Sequence, residues 1–387
     1  MVNGGVTTKP AISLQGVREV PGNFSDSIHA QFLPYDILTK FLNFSDEAQR
    51  SWWEDSGSML SRFLEATDYN HLIPFMGPHP QIRRYLFIPY GTPVEFSINF
   101  QGKRKALLRM ALEPVSSSSG TKEDLYNMTA VSRFEATLEQ INQKIYNMGL
   151  YKHFTEQFLP SQSEIEKLRE REASADAEGF MSTAAFGFDF KGGEDVTIKD
   201  KYFPSSTGDP PTSPISWDYG SPDTSRIKLF GATYNITLEA MQEIWTLGGR
   251  LNTETSQRGL ELAKRLWDFL GMEDQIRKFG NTEHNVETSM AWNYEIWPGA
   301  QYPIPKIYFP VLGMNDERVS EAISKFFHAL GWAKRAESYP KMLKTIYPIV
   351  DLSRSTQLQT WVSFSYTEKA GAYTTVHYQS AMNSVQL

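Results

Sequence analysis

The chain has 387 residues, a formal net charge of −7 and no cysteine, which removes disulfide frameworks, thiolate metal sites and cysteine nucleophiles from consideration. Hydrophobic residues at 40% and charged residues at 21% describe a folded globular chain, not a disordered one. The acidic balance argues against general binding to nucleic acid.

Residues 1–30 are polar, carry Lys9, Arg18 and Glu19, and lack the apolar centre of a signal peptide; they read as a flexible arm ahead of one domain over 31–387. Nowhere do 18 apolar residues run together, so no membrane association is expected and a cytoplasmic protein is the default. Helical spacing is expected over 35–66 and over 124–150, where Leu138, Ile141, Ile145 and Met148 recur at steps of three and four. Residues 151–171 begin apolar and end in the charged run Glu164 to Glu172, and read as a solvated helix face. Further helices are expected over 236–246, 257–270 and 316–331, the last with Val319, Ile323, Phe326, Phe327 and Leu330 on one face. Between them lie nine runs of alternating character: 93–100, 106–113, 183–190, 196–203, 225–231, 288–296, 305–311, 359–366 and 372–379. Several are paired across a glycine turn, at Gly102, Gly192-Gly193 and Gly371, which suggests repeated units of helix, two antiparallel strands and helix. A tenth strand is left to a poorly patterned stretch, and residues 204–224, rich in Pro and Ser, read as a long loop.

Basic residues recur inside the strands. Lys199 and Lys201 stand two apart, as do Arg226 and Lys228; Lys306 precedes Tyr308 by two, and Arg109 sits among apolar neighbours. Residues two apart in a strand share a face, and the alternate positions Ile198, Ile227, Leu229, Ile307 and Phe309 are apolar. Either these are ordinary wet strand faces on which Lys blunts an edge, or the strands join one sheet and their cations converge, in a lumen if it closes. Crowded cations call for a polyanion. Mixed with Tyr308, Tyr373 and His377, they suit a phosphate group beside a hydrophobic tail. No Gly-rich phosphate loop ending in Gly-Lys-Ser or Gly-Lys-Thr occurs, so side chains would do the gripping.

Glu95 shares a strand face with Ser97 and Asn99. It is either the ion-pair partner of a basic strand neighbour or a carboxylate that accepts a hydrogen bond from a substrate N–H or O–H and helps remove a proton. Metal signals are weak. The seven His form no His-Glu-x-x-His set, and Asn315-Asp316-Glu317-Arg318 has Val319 where a magnesium motif needs a hydroxyl; that stretch reads as a helix start with Asn315 as N-cap.

The sequence resembles the fungal aromatic prenyltransferases of the dimethylallyltryptophan-synthase type. The stretches that carry the resemblance are Trp52-Trp53 with Gly57, Gly77-Pro78, Pro93-Val94-Glu95, Arg109 with Glu113-Pro114, Gly187-Phe188-Asp189 and Leu247 to Leu251. Asn293-Tyr294-Glu295 with Pro298-Gly299, Lys306-Ile307-Tyr308 through Asn315-Asp316, Gly331-Trp332 and Tyr373 through Tyr378 continue it in the family's order. The resemblance implies an α+β fold, a ten-stranded antiparallel β-barrel (PT barrel) of repeated αββα units with solvent-facing helices outside and the reaction in the lumen. It implies an enzyme of fungal secondary metabolism that needs no metal or other cofactor. That enzyme moves a dimethylallyl or longer prenyl group from its diphosphate to an indole-type or other electron-rich aromatic acceptor by Friedel–Crafts alkylation, as a monomer or homodimer. By the same resemblance Arg109, Lys199, Lys201, Arg226, Lys228, Lys306, Tyr308 and Tyr373 bind the diphosphate. Tyr308, Tyr373, His377 and Phe230 shield the carbocation and line the acceptor pocket, and Glu95 receives the indole N–H.

Three positions depart from the family: Lys201 and Phe230 stand where Tyr is usual, and His377 replaces a common Tyr. The diphosphate grip is thereby more cationic and less phenolic. A segment of about one helix is missing between Tyr69 and His71 relative to the family pattern. Two other readings stay open, a polyketide phenol or xanthone as acceptor, and an impaired or non-catalytic barrel that binds a prenyl diphosphate or another polyanion.

Overall fold

The computed structural model describes residues 94–379, apart from short gaps and the longer stretches 115–123, 142–148, 155–165, 167–183, 203–214 and 277–288. The arm at 1–30, the helix expected over 35–66, the segment around Tyr69 to His71 and most of 151–171 lie outside the described residues.

Ten strands close into one barrel. They are β1 (Val94–Gln101), β2 (Leu107–Leu112), β3 (Ala184–Gly192), β4 (Asp195–Tyr202), β5 (Ile215–Asp218), β6 (Ile227–Thr233), β9 (Met290–Ile296), β10 (Ile304–Pro310), β11 (Gln359–Thr367) and β12 (Gly371–Gln379). Each pairs antiparallel with its neighbour, β12 closing on β1, and only β6 to β9 skips elements. The skipped stretch holds a two-stranded ladder, β7 (Asn235–Ile236) with β8 (Gln275–Ile276). Closure leaves no barrel edge exposed, so Lys as an edge blunter is not the reason for the basic strands. The nine expected strands are all present. The tenth, β5, lies inside the stretch expected to be a loop. It is four residues long and follows Pro214, so its composition hides it, but its backbone pairs with both β4 and β6.

The described helices are α1 (Met128–Ile141), α2 (Leu238–Trp245), α3 (Glu254–Leu270), α4 (Asp316–Ala329) and α5 (Ala333–Ile346). The last was not expected. Ala336, Tyr339 and Leu343 have helical spacing, but Pro340 interrupts the pattern and sits inside the helix. Thr237, Thr253 and Asn315 cap α2, α3 and α4, each side chain accepting from the backbone N–H three residues on; Asn315 thus acts as expected. Asp316 is a buried structural acid that accepts from the Ser355 hydroxyl at 2.7 Å and from the Gln359 N–H at 3.0 Å.

Strand alternation puts the core between barrel and helices. Phe96, Ile98 and Phe100 of β1 are buried on the outer face, with Phe100 5.0 Å from Phe327 of α4. Phe134 of α1 sits 4.5 Å from Phe186 of β3, Trp267 of α3 6.2 Å from Phe309 of β10, and Phe326 of α4 5.6 Å from Phe364 of β11. Each such burial contributes roughly 1.5–3 kcal/mol. Trp245 stacks on Phe364 and donates to the Ser256 carbonyl at 2.9 Å; a Cβ on Gly259 would come within 2.5 Å of it, so α3 needs glycine there. The Leu247 to Leu251 stretch is the turn between α2 and α3, with φ of 52°, 63° and 82° at Leu247, Gly248 and Gly249. Its family signature therefore serves the backbone. None of the helices among the described residues is long and apolar enough to cross a membrane.

Candidate active site

With the outer positions spent on helix packing, the alternate residues face the lumen. Register brings Arg109 (β2) opposite Asp189 (β3), Lys199 (β4) opposite Asp218 (β5), and Lys228 (β6) opposite Glu295 (β9). Asn293 faces Lys306 (β10), Lys306 faces Ser365 (β11), Ser365 faces Tyr373 (β12), and Tyr373 faces Gln101 (β1). Of the strand cations inferred from sequence, Arg109, Lys199, Arg226, Lys228 and Lys306 thus form a belt round the inside of a closed barrel. Lys201 takes the register position opposite Ser216 on β5.

The belt is not purely basic. Arg109 pairs with Asp189, Nε to Oδ1 at 2.9 Å, and the Lys199 ammonium contacts the other carboxylate oxygen. Arg226 bridges Asp218 at 3.0 Å and Glu295 at 2.7 Å, and Lys228 lies 4.0 Å from Glu295. With Lys306, five cations among the described residues face three carboxylates. The strong positive excess expected from sequence is reduced to about two charges, and most of each cation's field is already answered inside the wall. Lys306 is different: it has no ion pair among the described residues and sits over the rings of Tyr308 at 5.2 Å and Tyr373 at 4.9 Å. Arg109 also lies 5.3 Å from the Tyr373 ring, and Arg226 5.3 Å from Trp297.

Protonation follows this wiring. Burial would raise the Asp189 carboxyl, but Arg109 and Lys199 overcome it and hold the group far below the usual carboxylate range. Burial likewise opposes ionisation of Glu295, and Arg226 and Lys228 bring it down to about 2. Burial lowers Lys199 to about 7 against the pull of Asp189. Burial, with Arg109 second, pushes Lys306 well below its ordinary value, and Lys228 falls through burial and Arg226. A dianion entering this belt meets amines ready to take up protons as it binds.

Beside the belt lies an aromatic patch centred on Tyr308. Its hydroxyl accepts from Asn293 Nδ2 at 2.8 Å, and its ring is 6.4 Å from Phe230, 6.4 Å from Trp361 and 5.8 Å from the His377 imidazole. Glu95 is buried and Oε1 lies 2.6 Å from Nδ1 of His377. Its basic strand neighbour is thus a histidine.

Sequence reasoning missed the three carboxylates as lumen groups, and also Asn293, Trp361 and Ser365. Asp189 and Glu295 stood in quoted motifs, and each has the parity of its strand's inward face; Asp218 lay in the strand read as loop. Among the described residues no group of three His, Asp or Glu is placed to hold a metal ion.

The family model for tryptophan dimethylallyltransferase matches residues 48–209 and 200–342 of this chain. Echinulin prenyltransferase 1 of Aspergillus ruber is 33% identical over 406 positions, covering 90% of this chain and 97% of its own. Deoxybrevianamide E synthase notF of an Aspergillus species is 33% identical, covering 90% and 91%. Among solved structures, NotF in complex with brevianamide F and DMSPP superposes with a TM-score of 0.69 at 31% identity, covering 92% of this chain and 100% of the other. AnaPT from Neosartorya fischeri follows with a TM-score of 0.67 at 25% identity, covering 90% and 98%. The first of these alignments spans 406 positions, whereas 90% of 387 is about 348 residues, so it holds about 58 positions that this chain lacks.

Proposed function

Since the chain belongs to the tryptophan dimethylallyltransferase family and is a prenyltransferase, we propose that it transfers a dimethylallyl group from dimethylallyl diphosphate to an indole acceptor inside the barrel lumen. The observation that carries this reading is the belt: Arg109, Lys199, Arg226, Lys228 and Lys306 converge from four strands, with Lys306 set against the rings of Tyr308 and Tyr373.

The chemistry follows from charge. Breaking the allylic C–O bond leaves an allylic cation and a diphosphate anion. The preorganised cations stabilise the anion as it forms, the task that magnesium performs in metal-dependent prenyl enzymes. Because Asp189, Asp218 and Glu295 already hold four of the five cations, they are fixed in place before the substrate arrives and reorganise little. Lys306, with no carboxylate of its own among the described residues, is assigned the closest contact with the leaving group. The faces of Tyr308 and Tyr373 shield the allylic cation from water. The indole ring attacks that cation, Glu95 accepts the acceptor N–H and raises the electron density of the ring, and loss of a proton restores aromaticity. No metal ion or other cofactor is required in this account, and the place of action is the cytoplasm.

The test is product formation from dimethylallyl diphosphate with brevianamide F, tryptophan and simple indoles, analysed by mass spectrometry, with EDTA present throughout. A prenylated product is the expected result. Activity abolished by EDTA and restored by magnesium would overturn the metal-free part of the account.

A further inference from the structure

Prenyl transfer to an aromatic ring must end with loss of a proton, and the belt amines are already engaged: four cations are tied to carboxylates, the fifth is assigned to the leaving group, and proton uptake there goes with entry of the dianion. Resting on the prenyl-transfer reading above, we propose that His377 is the group that takes this proton, its ring held by Oε1 of Glu95 while the other oxygen of that carboxylate serves the acceptor N–H.

The geometry has three parts. Glu95 Oε1 lies 2.6 Å from Nδ1 of His377; a carboxylate accepts, so the proton belongs on Nδ1, and in the neutral tautomer Nε2 carries the lone pair. Nε2 is buried and has no hydrogen-bond partner among the described residues. The ring lies 5.8 Å from Tyr308, the same ring that Lys306 approaches at 5.2 Å, so the base stands beside the shield of the allylic cation. The titratable and charged groups set toward this imidazole are Glu95 on β1, Tyr308 on β10 and, across Ser97 in register, Arg109 on β2.

The step balances. The C–O bond breaks, its electron pair leaves with diphosphate, and a ring carbon of the acceptor then bonds to the allylic cation. Nε2 then takes the proton from that ring carbon, and the C–H electron pair returns to the ring. The resulting imidazolium faces the Glu95 carboxylate, which offsets its charge, and it resets by passing the proton to diphosphate or solvent.

His377→Asn keeps an amide able to donate to Glu95 but cannot carry the proton; His377→Ala removes both. With the acceptor that the wild type prenylates, the Asn variant should lose roughly 10²-fold in kcat while KM for dimethylallyl diphosphate stays within about threefold. The acid limb of the wild-type kcat–pH profile should vanish in that variant, and added imidazole should restore part of the rate of the Ala variant. A kcat within about threefold of wild type with an unchanged pH profile overturns the assignment, as does a loss carried wholly in KM. If the Ala variant does not fold, the profile of the Asn variant decides. A wild type that prenylates nothing overturns both this inference and the reading beneath it; an active wild type with an unaffected Asn variant overturns this inference alone.

Discussion

Glu295→Gln removes the carboxylate that holds Arg226 at 2.7 Å and Lys228 at 4.0 Å while keeping side-chain size. Its folded-state carboxyl is lowered from 4.5 to about 2. A depressed acid contributes stability that is complete above the unfolded value of 4.5 and is lost as pH falls through 2. At 1.36 kcal/mol per pKa unit, that contribution is about 3 kcal/mol at pH 7 and about 1.4 kcal/mol at pH 3, in line with the cost of orphaning a buried ion-pair partner. Urea unfolding followed by tryptophan fluorescence should therefore show the variant about 3 kcal/mol less stable than wild type at pH 7, with a gap that narrows toward pH 3. Binding should move the other way. The belt's excess rises by one positive charge, and affinity for inorganic pyrophosphate should increase about five- to tenfold. Variant stability within about 0.5 kcal/mol of wild type at pH 7, or weaker pyrophosphate binding, would refute the view that Glu295 restrains these cations.

Other consequences are measurable. Arg226→Ala and Lys228→Ala should each raise the Kd for pyrophosphate by about tenfold or more, the cost of one lost charge-assisted contact; unchanged KM and kcat in both would remove them from the diphosphate site. Lys199, lowered by burial to about 7, is protonated below that pH and neutral above it. At pH 8 pyrophosphate binding should draw in protons and weaken as pH rises further, seen in calorimetry as a binding enthalpy that depends on the buffer; no buffer dependence would contradict it. Phe134→Ala, on the outer side of β3, should cost about 3–5 kcal/mol of stability while leaving KM unchanged, since the ring packs on Phe186 and Phe188 away from the lumen.

The barrel was legible because its strands alternate so strictly. Phe96, Ile98 and Phe100 against Glu95, Ser97 and Asn99 fix both faces of β1 before any partner is known. The same parity marked Arg109, Lys199, Lys201, Arg226, Lys228 and Lys306 as one set, and closure turned all but Lys201, whose side chain is not described, into a belt. What stayed hidden depended on pairing across strands. Asp189, Asp218 and Glu295 look like ordinary acids until register puts each opposite a cation. β5 escaped because a four-residue strand behind Pro214 has too little pattern to show, and α5 because Pro340 breaks a periodicity that tertiary packing of Tyr339 and Leu343 sustains. The departure at His377 was visible as a lost phenol; its hydrogen bond to Glu95 needed the β1–β12 ladder.

The central claim is that a belt of side-chain cations, wired by carboxylates, drives prenyl transfer without a metal. Single-turnover transfer from dimethylallyl diphosphate to an indole acceptor, with and without EDTA, tests it most directly. Equal rates under both conditions, falling together in Arg226→Ala and Lys306→Ala, are the predicted result. A rate that vanishes with EDTA and returns with magnesium, or one indifferent to both substitutions, would contradict it.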